Sequence, residues 1–309
     1  MQLIRGLNHL EPSAEGCVLT IGNFDGVHIG HKKVIEKLTV QGQALGIPVV
    51  AMMFEPQPLE FFLGENAPSR LTRLREKIIQ LKCLSIDKLV IVKFNQAMAN
   101  YNAEQFIAEL LVGKLNVKYL VIGDDFHFGK ARRGNFAMLK EKGREFGFKV
   151  EDTRSFFVEQ DRVSSTLIRD ALGRGDLSRA KQMLGRDYSV CGRVAHGNKR
   201  GRTIGFPTAN IQMFRRNTPI TGVYAVTMAG IDGKELQGVA NVGTRPTVDG
   251  GTKVILETHL FDFDKEIYGD YVEVFFKQKI RDEVRFKSLN ELKAQINKDI
   301  IVAKQILMR

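Results

Sequence analysis

The chain has 309 residues, 43% hydrophobic and 26% charged, with 46 Lys and Arg against 35 Asp and Glu and a formal charge of +11. That length suffices for one large or two ordinary domains, and the composition is globular rather than disordered or fibrous. No apolar run approaches the ~18 residues of a membrane span, and the three cysteines, Cys17, Cys83 and Cys191, form no C-x-x-C pair, which argues against a disulfide framework or a zinc site.

The start, Met1-Gln-Leu-Ile-Arg5, lacks the basic-then-apolar layout of a secretion signal, so the expected compartment is cytoplasmic and the cysteines are expected to be buried thiols. The positive excess is spread evenly, +5 up to residue 185 and +6 beyond it, with no basic tail. Neither nucleic acid nor membrane is therefore an expected partner; oligomeric state is not legible. Lys199-Arg200-Gly-Arg202 and Arg132-Arg133 suit small-ligand phosphates, whereas Arg215-Arg216 is expected to be solvated surface.

In chain order, residues 1–185 alternate short β-rich runs with helical periodicity. The expected strands are 17–22, 48–54, 88–94, 118–123 and 148–152, and the expected helices are 31–45, 72–83, 103–111 and 135–146. Such alternation implies a parallel sheet with right-handed crossovers and a ligand site beyond the strand C-termini. Two further helices, 165–172 and 176–184, follow. Beyond Gly185 the pattern becomes strands at 188–195, 222–228, 238–243, 253–261 and 271–276 with one long helix, 289–307, which reads as a small antiparallel barrel with a covering helix. The expected boundary gives domains 1–185 and 186–309.

The segment Thr20-Ile-Gly-Asn-Phe-Asp-Gly-Val-His-Ile-Gly-His31 runs from a strand through glycines into a helix, the arrangement that leaves backbone N–H groups facing an anion. Gly22, Asn23, Phe24 and Gly30 are the expected phosphate contacts, with His28 and His31 three residues apart beside them. Neither a G-x-G-x-x-G fingerprint nor a P-loop is present. Downstream, Val163-Ser-Ser-Thr-Leu-Ile-Arg169 sets Ser164, Ser165 and Thr166 at a helix start with Arg169 one turn on; either serine suits an N-cap, and the group also suits phosphate. After the second and fourth expected strands come Met53-Phe-Glu-Pro-Gln-Pro58 and Gly123-Asp-Asp-Phe-His-Phe-Gly129, where Phe54, Asp125, Phe126 and Phe128 suit a flat heterocycle, although Phe54 and Phe128 also read as core.

The first part of the chain resembles the H-x-G-H nucleotidylyltransferases, in which paired histidines steady an ATP α-phosphate and an I-S-S-T-x-x-R type motif holds the leaving pyrophosphate; Val163 replaces the usual isoleucine here. Gly197-Asn-Lys-Arg-Gly-Arg-Thr-Ile-Gly-Phe-Pro-Thr-Ala-Asn210, with Asn241-Val-Gly-Thr-Arg-Pro-Thr247 and Leu256-Glu-Thr-His259, closely resembles riboflavin kinases. Gly197, Gly201, Arg202 and Gly205 belong to a loop suited to phosphate, and Thr208 and Asn210 carry hard oxygen ligands suited to Mg²⁺.

With both halves in this order, the chain resembles the bacterial bifunctional riboflavin kinase/FAD synthetase family. The resemblance implies an α/β fold with a Rossmann-like parallel-sheet nucleotidylyltransferase domain, then a small antiparallel β-barrel with a covering helix. It implies riboflavin, FMN, FAD and ATP as substrates and products, with flavin bound as substrate rather than as a redox cofactor. Thr208 and Asn210 would bind Mg–ATP and Glu257 would be the base for the ribityl hydroxyl. On its residues alone Glu257 reads equally as a base or as a partner of Arg281. Gln57 and His127 stand where many relatives have histidine and arginine. A tRNA-linked enzyme related to H-I-G-H synthetases and a non-catalytic flavin-binding protein are the rival readings.

Overall fold

The computed structural model describes residues 1–123, 126–153, 157–158, 161–197, 204–215, 217–246 and 252–308. Packing divides the chain into two compact units, Met1–Pro68 with Arg73–Val163, and Ser69–Thr72 with Ser164–Arg309.

In the first unit six strands pair in parallel: β1 (Gln2–Arg5), β2 (Cys17–Ile21), β3 (Val49–Glu55), β4 (Lys88–Lys93), β5 (Val117–Ile122) and β6 (Lys149–Asp152), in the order β1-β4-β3-β2-β5-β6, and a short antiparallel pair, β7 (Phe157–Val158) and β8 (Asp161–Arg162), follows. Runs such as Val18-Leu-Thr-Ile21 and Leu89-Val-Ile-Val92 are apolar without alternation because helices cover both faces of such a sheet. The order reverses direction at β2 and β5, so the chain leaving their C-termini flanks the crevice where ligands bind in open parallel sheets.

Helix α1 (Ile29–Leu45) buries Val34, Ile35 and Leu38, the i, i+1, i+4 stripe that faces a core. α2 (Pro58–Leu63), α3 (Leu74–Lys82) and α4 (Gln96–Ala99) follow, then α5 (Ala103–Gln105), which continues as a π-helix over Phe106–Lys114, and α6 (Phe136–Phe146). The expected strands and long helices lie within a few residues of these bounds. β1, α2 and α4 were not expected; each is too short for its period to show.

The second unit begins with α7 (Ser165–Gly173) and α8 (Leu177–Leu184). Leu177, Ala180, Met183 and Leu184 of α8 are buried, and α8 packs on β9 (Tyr188–Ala195) and β14 (Tyr271–Arg281). The pattern change near residue 186 thus marks the first barrel strand, while the break in packing falls earlier, at Val163/Ser164. Between β9 and β14 lie β10 (Ala209–Gln212), β11 (Gly222–Ile231), β12 (Lys234–Pro246) and β13 (Thr252–Leu260), and the six strands close antiparallel in the order β10-β13-β12-β11-β14-β9. β10 was not expected, being four residues long. Along β13, Val254, Leu256, Thr258 and Leu260 are buried while Ile255, Glu257 and His259 are half-buried, so Glu257 and His259 share the outer face. The C-terminal helix α9 (Leu289–Leu307) covers β11, β12 and β14, packing Ala303, Ile300 and Ile306 on Val223, Ala225 and Val239.

Two surface expectations need correction. Cys83 is exposed at the end of α3, unlike Cys17 and Cys191, and burial pushes the Cys17 thiol up to about 12. Arg215 is buried rather than solvated, because its Nη1 donates to the Tyr188 hydroxyl at 2.8 Å and the Arg70 carbonyl at 3.2 Å.

Asp299 of α9 is buried and accepts from Arg281 Nε at 3.0 and 3.1 Å, Arg281 Nη2 at 2.8 Å and Gln295 Nε2 at 2.9 Å. Replacing it leaves the partly buried guanidinium without its carboxylate, so Asp299→Ala should destabilise the barrel unit by about 2–4 kcal/mol. Urea unfolding monitored by circular dichroism checks this; a change under about 0.5 kcal/mol, the scale of an ordinary surface substitution, contradicts it.

Candidate active sites

Between β2 and α1 the backbone turns with positive φ at Phe24 (47°), Gly26 (84°) and Val27 (41°). Phe24 and Val27 are buried beside Ile35, Ala51 and Met53, so at position 24 the side chain is core and only the backbone is left to meet a ligand. Lys77 of α3 is wholly buried and its Nζ donates to the Asn23 carbonyl at 2.5 Å, fixing the turn from below. Nothing in the sequence marks this lysine, which sits in a charged stretch, Leu74-Arg-Glu-Lys-Ile78.

α1 starts at Ile29, two residues before the expected start, and this gives His28 a defined task. His28 is the N-cap: its buried ring accepts the His31 N–H at Nδ1 over 3.4 Å. The neutral ring therefore carries its proton on Nε2. His31 stacks on it with ring centroids 3.7 Å apart and an interplanar angle of 19°, and Phe24 lies 5.2 Å from the His31 ring. Gly30 makes the stack possible, because a Cβ there would lie 3.1 Å from His28 Nδ1. It would also lie 4.0 Å from the Val163 carbonyl, which places the first residue of the downstream motif beside H-x-G-H.

In the second unit Ser164 is the N-cap of α7, accepting the Leu167 N–H at 3.2 Å; Ser165 and Thr166 occupy the first turn. Arg169 Nε donates to the Ser69 carbonyl at 2.6 Å, which ties the segment Ser69–Thr72 to α7.

The aromatic candidates fall into two groups. Phe126 stacks on Phe128 at 5.7 Å and Phe128 packs on Phe106 at 5.1 Å within the core, while Phe54 meets Phe94 edge-on at 5.6 Å. Phe94 also contacts Phe61 and Phe62 of α2, and Phe62 is exposed. This second group escaped the sequence reading, which stopped at Pro58. Gln57 is buried and its Nε2 has no partner among the described residues. Asp125, Gly201 and Arg202 lie outside the described residues.

On the barrel, register sets Asn210 of β10 opposite Glu257 of β13, and Glu257 opposite Asn241 of β12. Directly opposed residues share a face, so the three side chains form a row across the outer surface. Gly197 lies against the Asn210 carboxamide, where a Cβ would collide with it. Gly205 holds φ +90°, a value that leaves little choice of residue, immediately before Phe206-Pro-Thr208. Arg281 is engaged by Asp299 rather than by Glu257. Among the described residues Glu257 makes no ion pair or side-chain hydrogen bond, and no group of three or more His, Cys, Asp and Glu is placed to hold a metal. Asn241 Nδ2 donates to Glu283 Oε1 at 3.2 Å.

These two constructions correspond to two family models in tandem: FAD synthetase over residues 10–167 and riboflavin kinase over residues 184–307. Proteins named bifunctional riboflavin kinase/FMN adenylyltransferase match over nearly their whole length. The one from Haemophilus influenzae is 52% identical over 304 residues, covering 98% of each chain; that of Escherichia coli K12 is 48% identical, covering 99% of this chain and 97% of its own. The chain belongs to the bifunctional riboflavin kinase/FMN adenylyltransferase family. A crystal structure from Streptococcus pneumoniae described as a macrolide-efflux protein has the same fold as this family member, with a TM-score of 0.84 at 30% identity over 98% of this chain and 99% of that one. No helix among the described residues is long and apolar enough to cross a membrane.

The cap fixes the tautomer of His28. Long-range ¹H–¹⁵N NMR on the ligand-free protein, above the range where the ring is cationic, should show His28 protonated at Nε2. A dominant Nδ1–H form would contradict the cap.

Proposed function

We propose that this chain makes FAD from riboflavin in two transfers, phosphorylating riboflavin to FMN on the barrel and adenylylating FMN on the parallel sheet. One observation carries the reading: the two family models run in tandem along the chain, FAD synthetase over residues 10–167 and riboflavin kinase over residues 184–307. ATP is the donor in both steps and flavin is substrate and product. The division of labour is 1–185 for adenylylation and 186–309 for phosphorylation, in the cytoplasm.

On the sheet, the FMN phosphate attacks the α-phosphorus of ATP, and charge accumulates on the α-phosphate oxygens as the bond to pyrophosphate breaks. Groups that donate to that charge lower the barrier. His28 Nε2–H is one, held in its tautomer by the cap, and His31 is another; Gly22, Asn23, Phe24 and Gly30 line the phosphate. Ser164, Ser165, Thr166 and Arg169 receive the leaving β- and γ-phosphates. Phe54, Asp125, Phe126 and Phe128 bind the flavin, with the exposed ring cluster beside Phe54 in support.

On the barrel, Glu257 accepts the proton of the ribityl 5′-hydroxyl as the oxygen attacks the γ-phosphorus. A carboxylate with no competing cation among the described residues suits a general base. Gly197, Gly201, Arg202 and Gly205 line the phosphates. Mg²⁺ fits here as a nucleotide-borne ion, since it keeps waters and phosphates as ligands and asks the protein for one or two oxygens, and Thr208 just before β10 and Asn210 within it supply a hydroxyl and a carboxamide. When bound, the ion neutralises charge on the transferring phosphate.

Incubating the protein with riboflavin, ATP and Mg²⁺ and separating the products by chromatography tests the reading; FMN and FAD are expected, and flavin binding without turnover would favour a carrier instead. His28→Ala should lower FAD formation by about 10²–10³-fold and leave FMN formation near normal, the loss expected for one transition-state donor. An equal fall in both would point to misfolding. Glu257→Gln should lower riboflavin phosphorylation by about 10²–10⁴-fold while supplied FMN is still adenylylated. Phosphorylation within a few-fold of wild type would make the carboxylate structural.

A further inference from the structure

His259 lies two residues beyond Glu257 on β13 and faces outward like it. Its Nδ1 is 2.8 Å from the Pro207 carbonyl oxygen, and its ring meets Phe206 edge-on at 5.8 Å and Phe261 at 6.1 Å. A ring nitrogen that close to a carbonyl carries the proton, so Nδ1–H donates. Phe206 and Pro207 precede β10, and the β10–β13 ladder begins only at Ala209, opposite Thr258. His259 therefore continues the attachment between the two strands past the end of their backbone pairing, at the segment that carries Thr208.

We infer that His259 is a positioning residue for phosphoryl transfer: it clamps Phe206-Pro207 to β13 and so sets the Thr208 hydroxyl and the nucleotide it holds in register with Glu257. This rests on the function proposed above. His259 reaches Thr208 through the Pro207 carbonyl and the Phe206 ring, so its effect is on Mg–ATP rather than on the flavin. The clamp also restrains a segment which the free rotation at Gly205 would otherwise leave loose.

Three variants of the full chain separate the components. His259→Phe keeps the ring packing and loses the donor, His259→Asn keeps a donor at similar reach without the ring, and His259→Ala loses both. Measured on riboflavin phosphorylation, His259→Phe should raise KM for Mg–ATP about 3–10-fold, the factor expected for one net hydrogen bond. His259→Ala should raise it further through the lost ring contact, and His259→Asn, which keeps a donor and loses the ring, should fall between wild type and His259→Ala. KM for riboflavin and adenylylation of supplied FMN should not change. The inference is overturned if His259→Phe matches wild type, or if all three variants lose kcat equally with KM for Mg–ATP unchanged, the mark of a structural role. Failure of the wild-type protein to phosphorylate riboflavin would instead remove the proposed function itself.

Discussion

The turn between β2 and α1 is held in a backbone conformation that costs free energy, and its neighbours are arranged to hold it there. Two of its non-glycine residues, Phe24 and Val27, have positive φ, and for a branched side chain such as valine that costs on the order of 1–3 kcal/mol. Burial of both side chains opposes that cost, and Lys77 adds a charged donor to the Asn23 carbonyl. What the strain provides is a helix start with two stacked imidazoles beside it. Under the proposed function, a phosphate at that helix start needs little reorganisation of its donors when charge shifts during adenylyl transfer.

The barrel meets the same need differently. A closed sheet has no free edge and its interior is full, so chemistry must be displayed on its outer face. α9 covers part of that face, over β11, β12 and β14, and the row Asn210, Glu257 and Asn241 lies on β10, β13 and β12. Register places the proposed base and the proposed nucleotide ligand on adjacent strands, where a hydroxyl and a γ-phosphate can be brought in line. The proposed base on the barrel and the proposed histidine pair on the sheet lie on different folds, so consecutive transfers can be assigned to separate sites on one chain.

Much of this was legible in the residues. Fully covered parallel strands show as unbroken apolar runs, the barrel as strands with glycine-rich or charged connections, and α9 as a long helical period, so both architectures followed from pattern. β1 and β10 did not, because four residues carry too little period and each exists through pairing with a longer strand. H-x-G-H was visible as spacing, but its physics was not. Placing the helix start at His31 hid the capping role of His28 and the reason for Gly30, which depend on where the first turn begins. Lys77 and Arg215 were hidden for a common reason: each is a cation buried with a donor on a carbonyl or a phenol, yet in sequence it looks like surface. The aromatic group around Phe94 joins residues 54, 61, 62 and 94, a grouping created by the fold alone.

The central claim is that two different phosphate groups of ATP are transferred, one at each construction. Label tracking on the intact protein tests it most directly: riboflavin and Mg²⁺ are supplied with ATP labelled either at the γ- or at the α-phosphate, and the flavin products are separated over time. The account predicts γ-label in FMN and then in FAD, α-label in FAD alone, and release of pyrophosphate only as FAD forms. Absence of γ-label from every flavin product, or α-label in FMN, would contradict it.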